Sequence, residues 1–129
     1  MFTLEQIQEA HAKARTGAEF PGHILTLIRL GIRGYCTFVG DGHTVYSGEE
    51  TEILSSPRYA ALGISDQPDI PGFRKTLSIH QQGQTDYLTF CKQSAAAGVD
   101  NWVVDTQAMT CSYFDKNGVS LLVEKIPAL

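Results

Sequence analysis

Apolar positions in this chain switch period several times, and each switch marks an element boundary. Leu4, Ile7, Ala10, His11 and Ala14 fall on one helical stripe. Thr3 followed by Gln6 has the capping-box form, so the pattern predicts a helix from Thr3 to about Thr16-Gly17. A second helix follows Pro21, whose missing N–H costs little in a first turn. Its residues Ile24, Leu25, Leu27, Ile28 and Leu30 are apolar nearly all round, which predicts burial, and Gly31 ends it. The period then falls to two. Tyr35 to Val39 and Thr44 to Tyr46 read as strands joined by Gly40-Asp41-Gly42-His43, a hairpin turn in which Asp-Gly accommodates positive φ. A short third strand is expected at Thr51 to Leu54.

Ser55 to Gly72 breaks the pattern with Pro57, Pro68 and Pro71, and carries at most a turn of helix around Tyr59 to Leu62. Helices are predicted again over Phe73 to Gln82, stopped by Gly83, and from the Thr85-Asp86 cap to Ala97. Strands then fit Trp102 to Asp105, Thr110 to Phe114 and Val119 to Glu124, with Asn117-Gly118 as the last hairpin. The predicted fold class is α+β: two α-α-β-β-β halves, about 1–54 and 70–129, with antiparallel sheet and a connector at 55–69, forming one domain over 1–129. Landmarks recur at an offset of 67 residues: Glu19/Asp86, Phe20/Tyr87, Gly31/Gly98, Tyr35/Trp102 and Tyr46/Tyr113. Few aligned residues are identical, so either an internal repeat or shared element order accounts for them.

At 129 residues the chain can bury one core, and its 43% hydrophobic composition is that of a globular domain. The net charge of −4, with basic residues scattered among acids, argues against nucleic-acid binding by phosphate neutralisation. No basic region precedes an apolar run at the start. The most apolar window, Ile24 to Ile32, is interrupted by Arg29 and falls short of the roughly 20 residues that span a bilayer, so a soluble, cytoplasmic protein is expected. Cys36, Cys91 and Cys111 leave one thiol over after any pairing and fit a reducing compartment.

Candidate chemistry is sparse. His11, His23, His43 and His80 lie on different elements without metal-ligand spacing, so neither a metal nor a cofactor is expected. His80, near a helix end, is placed where a cation suits the dipole. Glu49, Glu50 and Glu52 read as a solvated edge, or as a cluster that attracts a metal or a basic partner. Tyr35, Tyr46, Trp102 and Tyr113 fall on neighbouring strands, with Arg58 and Tyr59 on the connector. If they share an exposed face they form a binding surface, because Tyr, Trp and Arg dominate interfaces. If not, they pack beneath the helices. On the first reading a Tyr46→Ala, Tyr113→Ala double variant loses its partner and stays folded; on the second it unfolds.

Several stretches carry a family resemblance: Phe20-Pro21, Leu30-Gly31-Ile32-Arg33-Gly34-Tyr35, Asp41-Gly42-His43-Thr44, His80-Gln81-Gln82-Gly83, Asp86-Tyr87-Leu88-Thr89-Phe90-Cys91, and Trp102 through Asp115. Over nearly its full length the chain resembles the YdfO-like group of small bacterial and prophage proteins, often labelled "phage envelope protein" and of unknown function. The resemblance implies a compact α+β fold and transfers no catalytic residues. The expected role is a non-catalytic binding or accessory module for a protein or small-molecule partner, with a homodimer as one expected state. A rival reading is a small enzyme with a pocket between the halves built from His80, His43 and Cys36. A third is a virion-associated structural protein.

Overall fold

The computed structural model describes residues 2–13 and 20–126, and the side chains of those residues except 11–13. Ten elements follow in the order α1 (Leu4–Lys13), α2 (Phe20–Arg29), β1 (Gly34–Phe38), β2 (Thr44–Ser47), β3 (Glu52–Leu54), α3 (Ile70–Gln81), α4 (Tyr87–Ala96), β4 (Asn101–Asp105), β5 (Thr110–Phe114) and β6 (Ser120–Lys125). The α+β class and the α-α-β-β-β order of both halves are as expected. The predicted end of the first helix near Thr16-Gly17, with Ala14, lies outside the described residues.

One antiparallel sheet joins the halves, in the strand order β3-β2-β1-β4-β5-β6. Its centre is the β1–β4 pair, with Cys36 opposite Val103 and Tyr35 opposite Val104. The order is symmetric about that pair, each half contributing a meander that runs outward. α2 begins at Phe20 and α4 at Tyr87, β1 at Gly34 and β4 at Asn101, an offset of 67 residues in both cases. Phe20/Tyr87, Gly31/Gly98, Tyr35/Trp102 and Tyr46/Tyr113 therefore mark equivalent places in the two halves, while the Glu19 of the Glu19/Asp86 pair lies outside the described residues.

Local chemistry accounts for the boundaries. Thr3 and Gln6 close the capping box, Gln6 N–H donating to Thr3 Oγ1 (3.2 Å) and Thr3 N–H to Gln6 Oε1 (2.9 Å). Asp86 caps α4 by accepting from Thr89 N–H at 2.7 Å. α3 starts three residues before the Phe73 predicted from its apolar pattern. Asp69 caps it by accepting from Gly72 N–H (3.0 Å), and Pro71 sits in the first turn, where proline is compatible with a helix. No helical turn forms over Tyr59 to Leu62; the N–H groups of Tyr59 and Leu62 go to the carbonyls of Asp41 and Gly40. In the β1–β2 turn only Gly42 takes positive φ (+77°).

The four helices lie against one face of the sheet. Ile7, Ile24, Leu27, Phe73, Phe90 and Cys91 descend from them onto Tyr35, Tyr46, Trp102, Val104, Cys111 and Tyr113, which alternate inward along their strands. Neighbouring ring pairs run through this layer, including Tyr35–Tyr46 at 5.5 Å, Trp102–Tyr113 at 6.0 Å and Phe73–Tyr113 at 4.9 Å between centroids. The opposite face carries no described element.

Candidate functional site

The sequence candidates divide into four places. Tyr35, Tyr46, Trp102 and Tyr113 all lie on the helix-covered face, between 3% and 8% exposed, so they form core and not an exposed aromatic surface. Burial drives the hydroxyls of Tyr35 and Tyr113 well above the usual tyrosine range, as a low-dielectric layer disfavours the phenolate. Cys36 and His43 belong to the other side of the sheet. The Cys36 thiol faces Asn101 Oδ1 at 3.9 Å and is pushed up by burial and by Asp100, the reverse of an activated thiolate. The His43 ring stacks on Phe38 (4.6 Å) and its Nδ1 meets Asp41 Oδ1 at 2.5 Å, within the hairpin.

His80 lies in the helix layer, stacked on Phe90 at 4.2 Å, with Nδ1 3.1 Å from the Thr85 carbonyl and 3.0 Å from Thr85 Oγ1. The fold therefore does not gather His80, His43 and Cys36 into one pocket. At this helix end desolvation lowers the His80 pKa, against smaller opposing effects from the Thr85 backbone and Asp86. His23, buried between α1 and α2, is lowered for the same reason, with the Ala10 backbone opposing. Both histidines bind their proton less readily folded than unfolded, so acid favours the unfolded chain. Stability should be unaffected by these groups above pH 6.5 and fall as pH drops below it. Thermal melts between pH 7.5 and 5 should show that fall, and His80→Gln should flatten part of it; an unchanged slope would contradict the burial account.

The fourth place holds Arg58 and Tyr59, at the end of β2 beside Tyr46. Here the connector folds back against the end of β2. Ser55 N–H donates to the Thr44 carbonyl (2.8 Å) and Thr44 N–H to Ser55 Oγ (2.9 Å), extending the β2–β3 pairing. Arg58 N–H then donates to the Asp41 carbonyl (2.8 Å), and Tyr59 Oη to the Val39 carbonyl (2.7 Å). Gly42 makes room for this: a Cβ there would lie 2.6 Å from Tyr59 Cε2 and 3.1 Å from Arg58 Cβ. Burial pushes the Cys91 thiol up, and the neighbouring Tyr59 and Tyr87 hydroxyls ease it back down.

The outcome is a groove of about 460 Å3 between α1, β2 and the connector. Leu4, Ile7 and Pro57 supply apolar wall, while Thr44, Tyr46, Ser55 and Ser56 supply hydroxyls. Thr44 Oγ1 is itself 2.8 Å from the buried Thr37 Oγ1. Arg58, exposed at the rim, lies over the Tyr87 ring with Cζ 4.8 Å from the centroid. Among the described residues no carboxylate pairs with Arg58, and no hydrogen bond uses its side-chain donors. The Tyr46 hydroxyl, pushed up to about 12 by burial and eased downward by Arg58 and Thr44, stays protonated. This is a set of donors without an acid, a composition suited to a small anion.

Sequence reading named Arg58, Tyr59 and Tyr46 but missed Thr44, Ser55 and Ser56, whose small hydroxyls look like ordinary strand-end and turn residues. Tyr87 was visible as a repeat landmark, not as the platform for Arg58. Among the described residues no group of three or more His, Cys, Asp or Glu could hold a metal. Of the Glu cluster, Glu49 pairs with Arg33 at 3.7 Å on the surface. No helix among the described residues is long and apolar enough to cross a membrane.

Comparison with known proteins adds kinship without chemistry. The chain is similar to uncharacterised proteins of Mycobacterium bovis and Mycobacterium tuberculosis, 29% identical over 100 residues that cover 74% of this chain. Those 100 residues span 59% of each mycobacterial protein, so the chain matches well under two thirds of their length. A family model described as a protein of unknown function (DUF1398) matches residues 8–125, and with nearly the whole two-half fold inside that span, the chain belongs to the DUF1398 family.

Proposed function

We propose that the chain is a non-catalytic binding module that takes a small anionic molecule, one bearing a carboxylate or phosphate, in the groove at Arg58. The observation that carries this reading is the unpaired guanidinium: it is held over Tyr87 at the mouth of a hydroxyl-lined groove, with its N–H edge unused among the described residues. The bidentate geometry of guanidinium matches either anion, and Leu4, Ile7 and Pro57 would take a short apolar portion of the ligand. The separation of His80 from Cys36 and His43 supports binding over catalysis. The reduced thiols fit a cytoplasmic setting. A prophage-associated role, which the resemblance to YdfO-like proteins implies, is compatible with this reading, and detection of the chain in purified phage particles would instead favour the structural role.

A panel of small carboxylates and phosphates, screened by thermal shift and followed by calorimetry, tests the reading. At least one should stabilise the protein, and Arg58→Gln should weaken it by about 10- to 100-fold, the loss of one charge-assisted contact worth roughly 1.5–3 kcal/mol. Equal affinity in the variant would place the ligand elsewhere.

A further inference from the structure

The sheet face opposite the helices has a self-complementary pattern. The strand registers align Leu54, Val45, Cys36, Val103, Ser112 and Val123 in one row across all six strands. Leu54, Val103 and Val123 in this row are 60%, 37% and 55% exposed, and Phe38 and Phe114 continue the apolar surface on one side. On the other side lies a polar row: Glu52, Ser47, Gly34, Asp105, Thr110 and Lys125. It is acidic at the β3 edge and basic at the β6 edge.

We propose that this face is the interface of a symmetric dimer of the chain, with the two-fold axis between the sheets and parallel to β1 and β4. Charge complementarity selects that occupant and that axis. The rotation reverses strand order while keeping each row on itself, so β3 of one copy faces β6 of the other. Leu54 then meets the partner's Val123, Cys36 meets the partner's Val103, and Glu52 meets the partner's Lys125, each contact occurring twice. Gly34, where a side chain would strike the Val104 carbonyl at 2.8 Å, leaves a hollow of about 370 Å3 in the polar row. The partner's Asp105 enters it beside Arg33. Aligned packing of this kind is the usual arrangement of two sheets in a sandwich.

The full chain should sediment at twice its 14.1 kDa mass at micromolar concentration. Glu52→Lys should raise the dimer dissociation constant by about tenfold through like-charge contact, and adding Lys125→Glu should restore it. In a Cys36→Ser background, Leu54→Cys and Val123→Cys variants mixed together should be joined by a bismaleimide spanning the roughly 10 Å between packed sheets. Each variant alone should not, because within one chain these positions sit on opposite edges of the sheet. A monomer, a dimer indifferent to the charge reversal, or self-linking of either single variant would overturn the proposal. A monomer would leave this face to another protein or to solvent.

Discussion

The Tyr46→Ala, Tyr113→Ala double variant is expected to unfold at room temperature. Both rings are buried on the helix-covered face, Tyr46 against Tyr35 and Tyr113 between Phe73 and Trp102. Truncating a buried aromatic to alanine costs about 3–5 kcal/mol in lost transfer energy and residual cavity. β2 and β5 are separated by β1 and β4, so the sites share no partner strand and their costs should nearly add. The combined loss of about 6–10 kcal/mol equals the whole stability of a domain in the lower half of the typical range of about 5–15 kcal/mol, where a small two-half domain is expected to fall. Circular dichroism and a lost cooperative melt would show it. A folded double variant would mean that these rings do not hold the halves together.

A second large effect should separate two glycines that occupy the same place in the repeat. Gly31 and Gly98 each follow the buried helix of their half and take nearly the same φ, +91° and +85°. An alanine at either position suffers the left-handed backbone cost, about 1–2 kcal/mol. Around Gly31 an added Cβ meets nothing within 4 Å, whereas at Gly98 it would lie 2.7 Å from Pro68 Cα, 3.0 Å from Pro68 N and 3.3 Å from the Gln67 carbonyl carbon. Those are backbone atoms of the connector, itself tied down by Asp69 N–H to the Ala97 carbonyl at 2.9 Å, and they cannot swing aside. Gly98→Ala should therefore cost about 2–4 kcal/mol and Gly31→Ala about 1–2, measured by urea unfolding. Equal costs would show that the connector does not press on α4 as described.

This contrast also shows what could be read from the residues alone. The element order was legible because capping residues, stop glycines and changes of hydrophobic period are local signals. Thr3-Gln6, Asp86 and Gly42 each act within a few residues of themselves. The start of α3 was missed because Pro68 and Pro71 look like breakers, while Asp69 acts between them as a cap. The site was harder to see. Whether Tyr46 faces solvent or helices depends on which side of the sheet the helices cover, a question that period-two alternation leaves open. Arg58 could be named as a connector residue, but its seat over Tyr87 brings together residues 29 positions apart. Thr44 and Ser55 meet only because the connector prolongs the β2–β3 pairing.

The claim that most needs a direct test is that the Arg58 groove holds a small anion. Native mass spectrometry of untagged protein from its own cells, beside an Arg58→Gln variant prepared identically, provides it. The wild-type chain should carry a small, discrete mass excess over its own covalent mass, and the variant should lose it while remaining folded. A bare wild-type chain, or an adduct that survives removal of the guanidinium, would contradict the assignment and leave Arg58 as a clamp that fixes the connector to Tyr87.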